Sequence, residues 1–332
     1  MERRTVGAAA LEVGAVGLGC MPMHWAYSAS QQSGERALRA IHAALDAGTS
    51  LLDTADMYGP FTNELLLGRV LRERRPEAFV STKCGLLVGD QHIVANGRPA
   101  YVRRACDASL RRLQTDVIDL YQLHRPDPEV PVEETWGAMA ELVAAGKVRA
   151  LGWCAMGARA QRGYGAGAGM YDATIRQLER VQQVFPVGCV QAELSVWSRE
   201  ALDRLVPWCA SRGVGVLAAM PLGNGFLTGT LTPGQGFEPE DVRARHPRFT
   251  AEMMAANQPI VAGLRRVARR HDATPAQVAL AWVLAQGRHV VPVPGTKRPE
   301  WAVENAAAAG LRLTPQDLTE IATLPAALGS WD

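Results

Sequence analysis

The sequence is short of several things, and each shortage excludes something. Across 332 residues the basic and acidic side chains nearly balance, 35 against 33, for a formal net charge of +2. Binding to nucleic acid or anionic lipid needs clustered, uncompensated Lys and Arg, so neither class of partner is expected. No stretch reaches the ~20 apolar residues of a membrane-spanning helix. The six cysteines, Cys20, Cys84, Cys106, Cys154, Cys189 and Cys209, lie far apart, with no CxxC pair and no histidine at zinc-like spacing. That usage reads as a reduced, cytoplasmic chain without a metal site. The stretch Val6 to Met23 has the apolar look of a leader, but Glu12 interrupts it and Gly14 and Gly17 punctuate a strand-like alternation. A GxGxxG turn is also missing, because Gly17-Leu18-Gly19 is followed by Pro22 where the third glycine belongs. The signature of a dinucleotide-binding Rossmann half therefore fails.

What the chain does have is 48% apolar residues, though only 6% aromatic, arranged as short β-rich runs alternating with amphipathic segments. The strand candidates are Ala15–Cys20, Ser50–Thr54, Ala78–Lys83, Val117–Leu123, Ala150–Cys154, Cys189–Glu193, Gly215–Met220 and His289–Val293. Several are apolar without alternation, as strands covered on both faces should be. Helical patterns lie between them. Glu35 to Ala47 carries an apolar stripe and stops at Gly48, Pro131 to Lys147 opens acidic and closes basic, and Thr274-Pro275 is a cap followed by a first-turn proline. Eight strands with helical crossovers and no Pro-, Ser- or charge-rich linker favour one (β/α)₈ TIM barrel, a single domain over residues 1–332. A doubly wound open sheet is the rival.

In a barrel the reactive groups sit at the C-terminal ends of the strands. Here those ends read Asp53-Thr54-Ala55-Asp56-Met57-Tyr58-Gly59, Ser81-Thr82-Lys83 and Gln122-Leu123-His124. An Asp, a Tyr, a Lys and a His from three successive strands suit delivery of a proton to a carbonyl oxygen. A tyrosine with pKa near 10 is a weak acid, and an adjacent ammonium lowers that value. Lys83 supplies the charge, Asp53 holds Lys83, and His124 orients the carbonyl. The set contains no nucleophile, so the electrons are expected from a hydride carrier.

With these segments, and with Gly146-Lys147-Val148-Arg149, Val190-Gln191, Pro221 through Gly229, and Val293-Pro294-Gly295-Thr296-Lys297-Arg298 leading to Glu304-Asn305, the chain resembles an aldo-keto reductase. It is most similar to the branch with a long segment after the seventh strand. The resemblance implies a (β/α)₈ barrel, a hairpin Arg4–Val13 closing its base, and NADPH (NADP⁺ after turnover) reducing a small-molecule carbonyl. It implies Tyr58 as general acid, tuned by Lys83 and Asp53, with His124 on the substrate. Cofactor contacts would come from Met21, Asp53, Cys154 and Gln191; from Pro221, Leu222, Gly223, Gly225 and Leu227 beneath the pyrophosphate; and from Gly295, Thr296, Lys297, Trp301, Glu304 and Asn305 around the adenosine. Lys297 is the cation for a 2′-phosphate. Substrate contacts would come from His24, Trp25, Tyr27, Tyr58, His124 and Trp197. No feature of the chain chooses between monomer and homo-oligomer.

Three positions depart from the family pattern. Cys154-Ala155 stands where a Ser and an Asn or Glu are usual, Ala219-Met220 where an aromatic and a Ser are common, and Trp301 where a Gln or Arg reaches the adenosine. Two readings follow: a reductase with a remodelled nicotinamide wall, or a scaffold whose tetrad performs proton transfer, dehydration or cyclisation without redox change. A third is a non-enzymatic binding subunit. The segment Met156–Asp172 reads as a glycine-rich insertion, with Tyr164, Met170 and Tyr171, suited to a lid over the mouth.

Overall fold

The computed structural model describes residues 1–7, 11–27, 30, 32–89, 93–156 and 169–329. The chain opens with an antiparallel hairpin, β1 (Arg3–Val6) and β2 (Leu11–Gly14), then enters a parallel sheet at β3 (Leu18–Gly19), β4 (Leu51–Asp53) and β5 (Phe79–Cys84). A second hairpin, β6 (Leu86–Val88) and β7 (Ile93–Ala95), precedes β8 (Ile118–Leu123), β9 (Val148–Cys154), β10 (Cys189–Glu193), β11 (Gly215–Ala219) and β12 (Val290–Pro292). The eight parallel strands lie side by side in chain order. The two edges also meet: Gly17 and Gly19 donate their N–H groups to the carbonyls of Pro292 and Pro294, and Gly19 bridges Gly295 in parallel. The sheet is therefore a closed barrel and not a doubly wound open sheet. Every strand expected from the sequence is present, differing only at its ends, whereas the β6–β7 hairpin gave no recognisable signal.

Helices fill the crossovers: α1 (Gly34–Asp46), α2 (Thr62–Arg74), α3 (Pro99–Leu113), α4 (Val132–Ala144), α5 (Asp172–Gln182) and α6 (Leu205–Ser211). After β11 come α7 (Ala251–Ala256), α8 (Gln258–Arg270) and α9 (Pro275–Leu284), and after β12 come α10 (Pro299–Ala307) and α11 (Pro315–Ala322). Their ends follow local chemistry. The Ser33 hydroxyl accepts from the Arg36 N–H to start α1, and Gly48 at φ +88° ends that crossover. Thr274 and Gln277 form a reciprocal capping box on α9 with Pro275 in its first turn. The insertion expected at Met156–Asp172 lies mostly outside the described residues, Tyr164 included. Of its described part, Met170 and Tyr171 pack on the main core.

Strand alternation places every second side chain inside the barrel, and the interior is tiered accordingly. The lower tier is apolar: Leu51, Phe79, Leu120, Ala150, Cys189, Leu217, Val291 and Val293 form one cluster with Val6 and Val13 of the β1–β2 hairpin. The hairpin thus plugs the base, as expected. Arg4 pins it there, its guanidinium donating to the carbonyls of Gly287, Val290 and Leu284 at 2.7, 2.7 and 3.0 Å. Two residues further along the same strands, the inward positions become Asp53, Ser81, Gln122 and Gln191, and the next step brings Lys83 and Cys154. A polar layer sits directly above a greasy one.

Candidate active site

The centre of the polar layer is the Asp53 carboxylate, which is almost completely buried. Four donors converge on it. Lys83 Nζ and Gln191 Nε2 reach Oδ2 at 2.7 and 3.0 Å, while Ser81 Oγ and Gln122 Nε2 reach Oδ1 at 2.8 and 3.1 Å. A buried carboxylate is tolerable only when its lone pairs are filled in this way. The Lys83 ammonium, 0% exposed, also donates to the Thr54 carbonyl at 2.7 Å and lies 3.4 Å from Tyr58 Oη. Burial works against the Lys83 charge, yet Asp53, Tyr58 and Cys154 outweigh it and hold the ammonium above the ordinary lysine range. Lys83 is a fixed cation aimed at a phenol.

Tyr58 sits on the turn after β4, and that turn is strapped to its neighbours. Thr54 N–H donates to the Ser81 carbonyl and Asp56 N–H to the Lys83 carbonyl, with Gly59 in the left-handed region at φ +66°. From below, the start of α2 holds the turn: Thr54 Oγ1 donates to Asn63 Oδ1 at 2.6 Å, and Thr82 Oγ1 and Arg112 Nε both donate to the buried Glu64 carboxylate at 2.7 Å. Burial pushes the Tyr58 phenol up to about 12, with Lys83 opposing that rise. The ammonium therefore moderates a shift whose net sign is upward, and Tyr58 keeps its proton throughout the neutral range. His124 packs edge-on to the Tyr58 ring at 6.1 Å between centroids. Its Nδ1 is buried without a hydrogen-bond partner among the described residues. Burial, reinforced by Lys83 and Arg125, holds the His124 imidazole neutral, well below the usual histidine range. All four expected catalytic residues thus meet at one point.

Asp56, two residues before Tyr58, is a liability of the same turn. It is 3% exposed, the Tyr101 hydroxyl stands 3.4 Å from Oδ2, and Oδ1 has no partner among the described residues. Burial, aided by Glu64 and opposed by Arg112, pushes its carboxyl up to about 7. The folded chain then keeps a proton that the unfolded chain releases near pH 4, so stability from the neutral acid is fully present below that value and is lost as pH rises through 7. Asp56→Asn is expected to gain stability over the parent by about 2–3 kcal/mol more at pH 8 than at pH 5. Urea unfolding at the two pH values measures it, and equal differences at both would overturn the assignment.

The remaining expected site residues divide by position. Met21 and Trp25, on the loop after β3, pack with Leu86, Val88 and Ala95 around Ala55, Met57 and Tyr58 in an apolar cluster beside the phenol. Cys154, with its thiol kept neutral by burial, points at the Gln191 carbonyl oxygen, Sγ to Oε1 3.7 Å. The Gln191 amide nitrogen is thereby turned to Asp53. Tyr27 donates to Asn224 Oδ1 at 2.9 Å and lies under the Arg243 guanidinium, tying the β3 loop to the Pro221–Leu227 segment. That segment turns through Asn224 at φ +51° and Gly225 at φ +93°, with the Arg243 and Leu231 side chains 3.6 and 3.8 Å from where a Cβ of residue 225 would stand. Trp197 is in the core, 3% exposed, edge-on to Phe226 and lying beneath Gly223. At the adenosine end, Thr296 and Lys297 are buried beside the exposed Gly295, and Trp301 is exposed under Arg298. The Glu304 carboxylate accepts from the Thr274 hydroxyl at 2.6 Å, and Asn305 is buried in α10. Ser81, Gln122 and Asn63 were not singled out from the sequence. Their positions two residues from Lys83 and His124, and at the head of α2, were the available signal.

Among the described residues no group of His, Cys, Asp or Glu is placed to hold a metal ion, all six cysteines are unpaired as disulfides, and no helix is long and apolar enough to cross a membrane. The Aldo/keto reductase family profile matches residues 15–325. A probable aldo-keto reductase 1 from Glycine max is 36% identical over 318 residues, covering 95% of this chain and 86% of that protein. Among solved structures, the glycerol dehydrogenase of Gluconobacter oxydans superposes with a TM-score of 0.82 at 27% identity, over 96% of this chain and 94% of that one. An aldo-keto reductase from Klebsiella pneumoniae, solved in complex with NADPH, gives 0.70 at 27% identity over 97% and 94%. A closed barrel with an Asp-Tyr-Lys-His centre at its C-terminal mouth, matched along nearly its whole length, belongs to the aldo/keto reductase family, whose members are NAD(P)H-dependent oxidoreductases.

Proposed function

We propose that the chain reduces an aldehyde or ketone to the alcohol, with NADPH as reductant and Tyr58 as the general acid. The observation that carries this reading is the neutral Tyr58 phenol at 3.4 Å from a Lys83 ammonium locked to Asp53. A carbonyl oxygen beside Tyr58 Oη takes up the phenolic proton as negative charge develops on it. Lys83 stabilises the phenolate left behind, and it needs no proton movement of its own to do so. His124, neutral at physiological pH, serves as a hydrogen-bonding group that orients the carbonyl and not as an acid. When bound, NADPH supplies the hydride. The apolar cluster of Met21, Trp25, Met57 and Leu86 beside the phenol excludes water from that site.

The residues at the mouth fit a phosphorylated dinucleotide. Burial lowers the Lys297 pKa, Asp241 and Glu238 oppose the shift, and Arg243 and Arg36 reinforce it, so Lys297 lies in a mixed cluster of three cations and two acids. Lys297 is the cation of that cluster offered to a 2′-phosphate. The left-handed turn at Asn224 and Gly225, with the Arg243 guanidinium beside it, suits a pyrophosphate, and Gln191, by turning from Asp53, suits a carboxamide. Calorimetric titration is expected to show NADPH binding more tightly than NADH, and Lys297→Met is expected to lower that preference by about 10- to 100-fold. No binding of NADPH at millimolar concentration would remove the redox reading.

A further inference from the structure

His24 lies on the loop after β3, directly against the Tyr58 turn: a Cβ added at Gly59 would come within 2.7 Å of His24 Cβ. Beneath it is Asn63, fully buried at the head of α2. The hydrogen bonds of Asn63 decide which ring nitrogen of His24 carries its proton. One terminal atom of the Asn63 amide faces the Cys20 carbonyl at 2.9 Å, and a carbonyl oxygen only accepts, so that atom is the amide nitrogen. The other terminal atom, the amide oxygen, accepts from the Thr54 hydroxyl at 2.6 Å, which agrees. The same amide nitrogen lies 3.2 Å from His24 Nδ1. Since it can only donate, Nδ1 must accept and carries no proton. The half-buried ring is also pushed below the usual histidine range by burial, which keeps it neutral. A neutral ring without a proton on Nδ1 has it on Nε2. That atom has no hydrogen-bond partner among the described residues and is not among the atoms sealed from solvent.

We propose that Asn63 fixes His24 as the Nε2–H tautomer, making His24 a hydrogen-bond donor at the mouth beside Tyr58 that selects carbonyl substrates bearing a second acceptor oxygen. The selection rests on the reductase reading above; the tautomer does not. The cluster of Met21, Trp25, Met57 and Leu86 gives the Tyr58 site a mainly apolar flank, and with Lys83 assigned to the phenol and His124 to the reacting carbonyl, the His24 Nε2–H is the donor left for a second acceptor oxygen of the substrate. A substrate without that oxygen leaves the Nε2–H to water and loses the discrimination. Asn63 acts through His24 as a positioning residue and does not touch the substrate.

Two measurements test this together. Nitrogen-resolved NMR of the full-length protein at pH 7 is expected to show His24 with Nε2 protonated and Nδ1 bare; a proton on Nδ1 overturns the proposal whatever the kinetics. The second is the ratio of kcat/KM for 2-hydroxypropanal to that for propanal, which differ by one hydroxyl. His24→Phe is expected to lower this ratio about 5-fold or more, chiefly through the hydroxyaldehyde, while His24→Gln, which keeps an N–H donor, restores most of it. An unchanged ratio in His24→Phe beside the expected tautomer overturns the selection alone. If the parent protein reduces neither aldehyde with NADPH, the reductase reading falls and the selection with it, while the NMR result still decides the role of Asn63.

Discussion

Tyr58→Phe is expected to lower kcat for carbonyl reduction by about 100- to 10,000-fold, the usual contribution of a positioned general acid, while NADPH affinity stays within about twofold. The substitution removes one oxygen and keeps the ring, which packs with Met57, Ala55 and Leu86. The fold is therefore untouched, and the Lys83 ammonium, still bonded to Asp53 and the Thr54 carbonyl, remains in place. What is lost is the proton that meets the developing charge, a contact made chiefly in the transition state. Steady-state rates with cofactor titrated separately measure both quantities. Retained turnover would show that the phenol is not the working acid, and a large loss of cofactor affinity would show that the hydroxyl holds ligand instead.

The second large effect is on stability as well as rate. Lys83→Met is expected to cost about 3–5 kcal/mol of folding stability, because it leaves the Asp53 carboxylate buried with its cation removed. Ser81, Gln122 and Gln191 still donate to it, but three neutral donors do not balance a full charge in a dry interior. Pairing the change with Asp53→Asn removes both charges and is expected to recover most of the stability and none of the activity. Urea unfolding of the single and double variants, beside their reduction rates, separates the two roles. A double variant no more stable than Lys83→Met would show that the buried pair is not the source of the loss.

The phenol illustrates how far a linear reading of electrostatics goes. From the sequence, an ammonium beside Tyr58 predicts a lowered pKa; in the structure burial outweighs Lys83 and the net shift is upward. Neighbouring charge is legible in a motif, because spacing along strands brings the groups together. Desolvation is not, because it depends on what the other seven strands and the β6–β7 hairpin place around the ring. His24 makes the same point. Its presence after the first strand was readable, whereas its tautomer follows from an asparagine 39 residues away that carries no motif of its own.

The sequence by itself determined the alternation of eight strands with helices and the candidate reacting groups at the strand ends. Strand and helix periods are local, and alternation along β4, β5 and β8 puts Asp53, Lys83 and the neighbours of His124 at one end of one face. Tertiary structure alone decided three things: that the sheet closes through Gly19 and Gly295, that Ser81, Gln122 and Gln191 complete the shell of Asp53, and that Trp197 lies in the core beneath Gly223 and not on an open wall. Each depends on contacts between residues far apart in the chain, and on which side chains lose their water when those contacts form. The near-balance of charge is a property of the whole chain; the meeting of Lys297, Arg243 and Arg36 with Asp241 and Glu238 exists only once the barrel has folded.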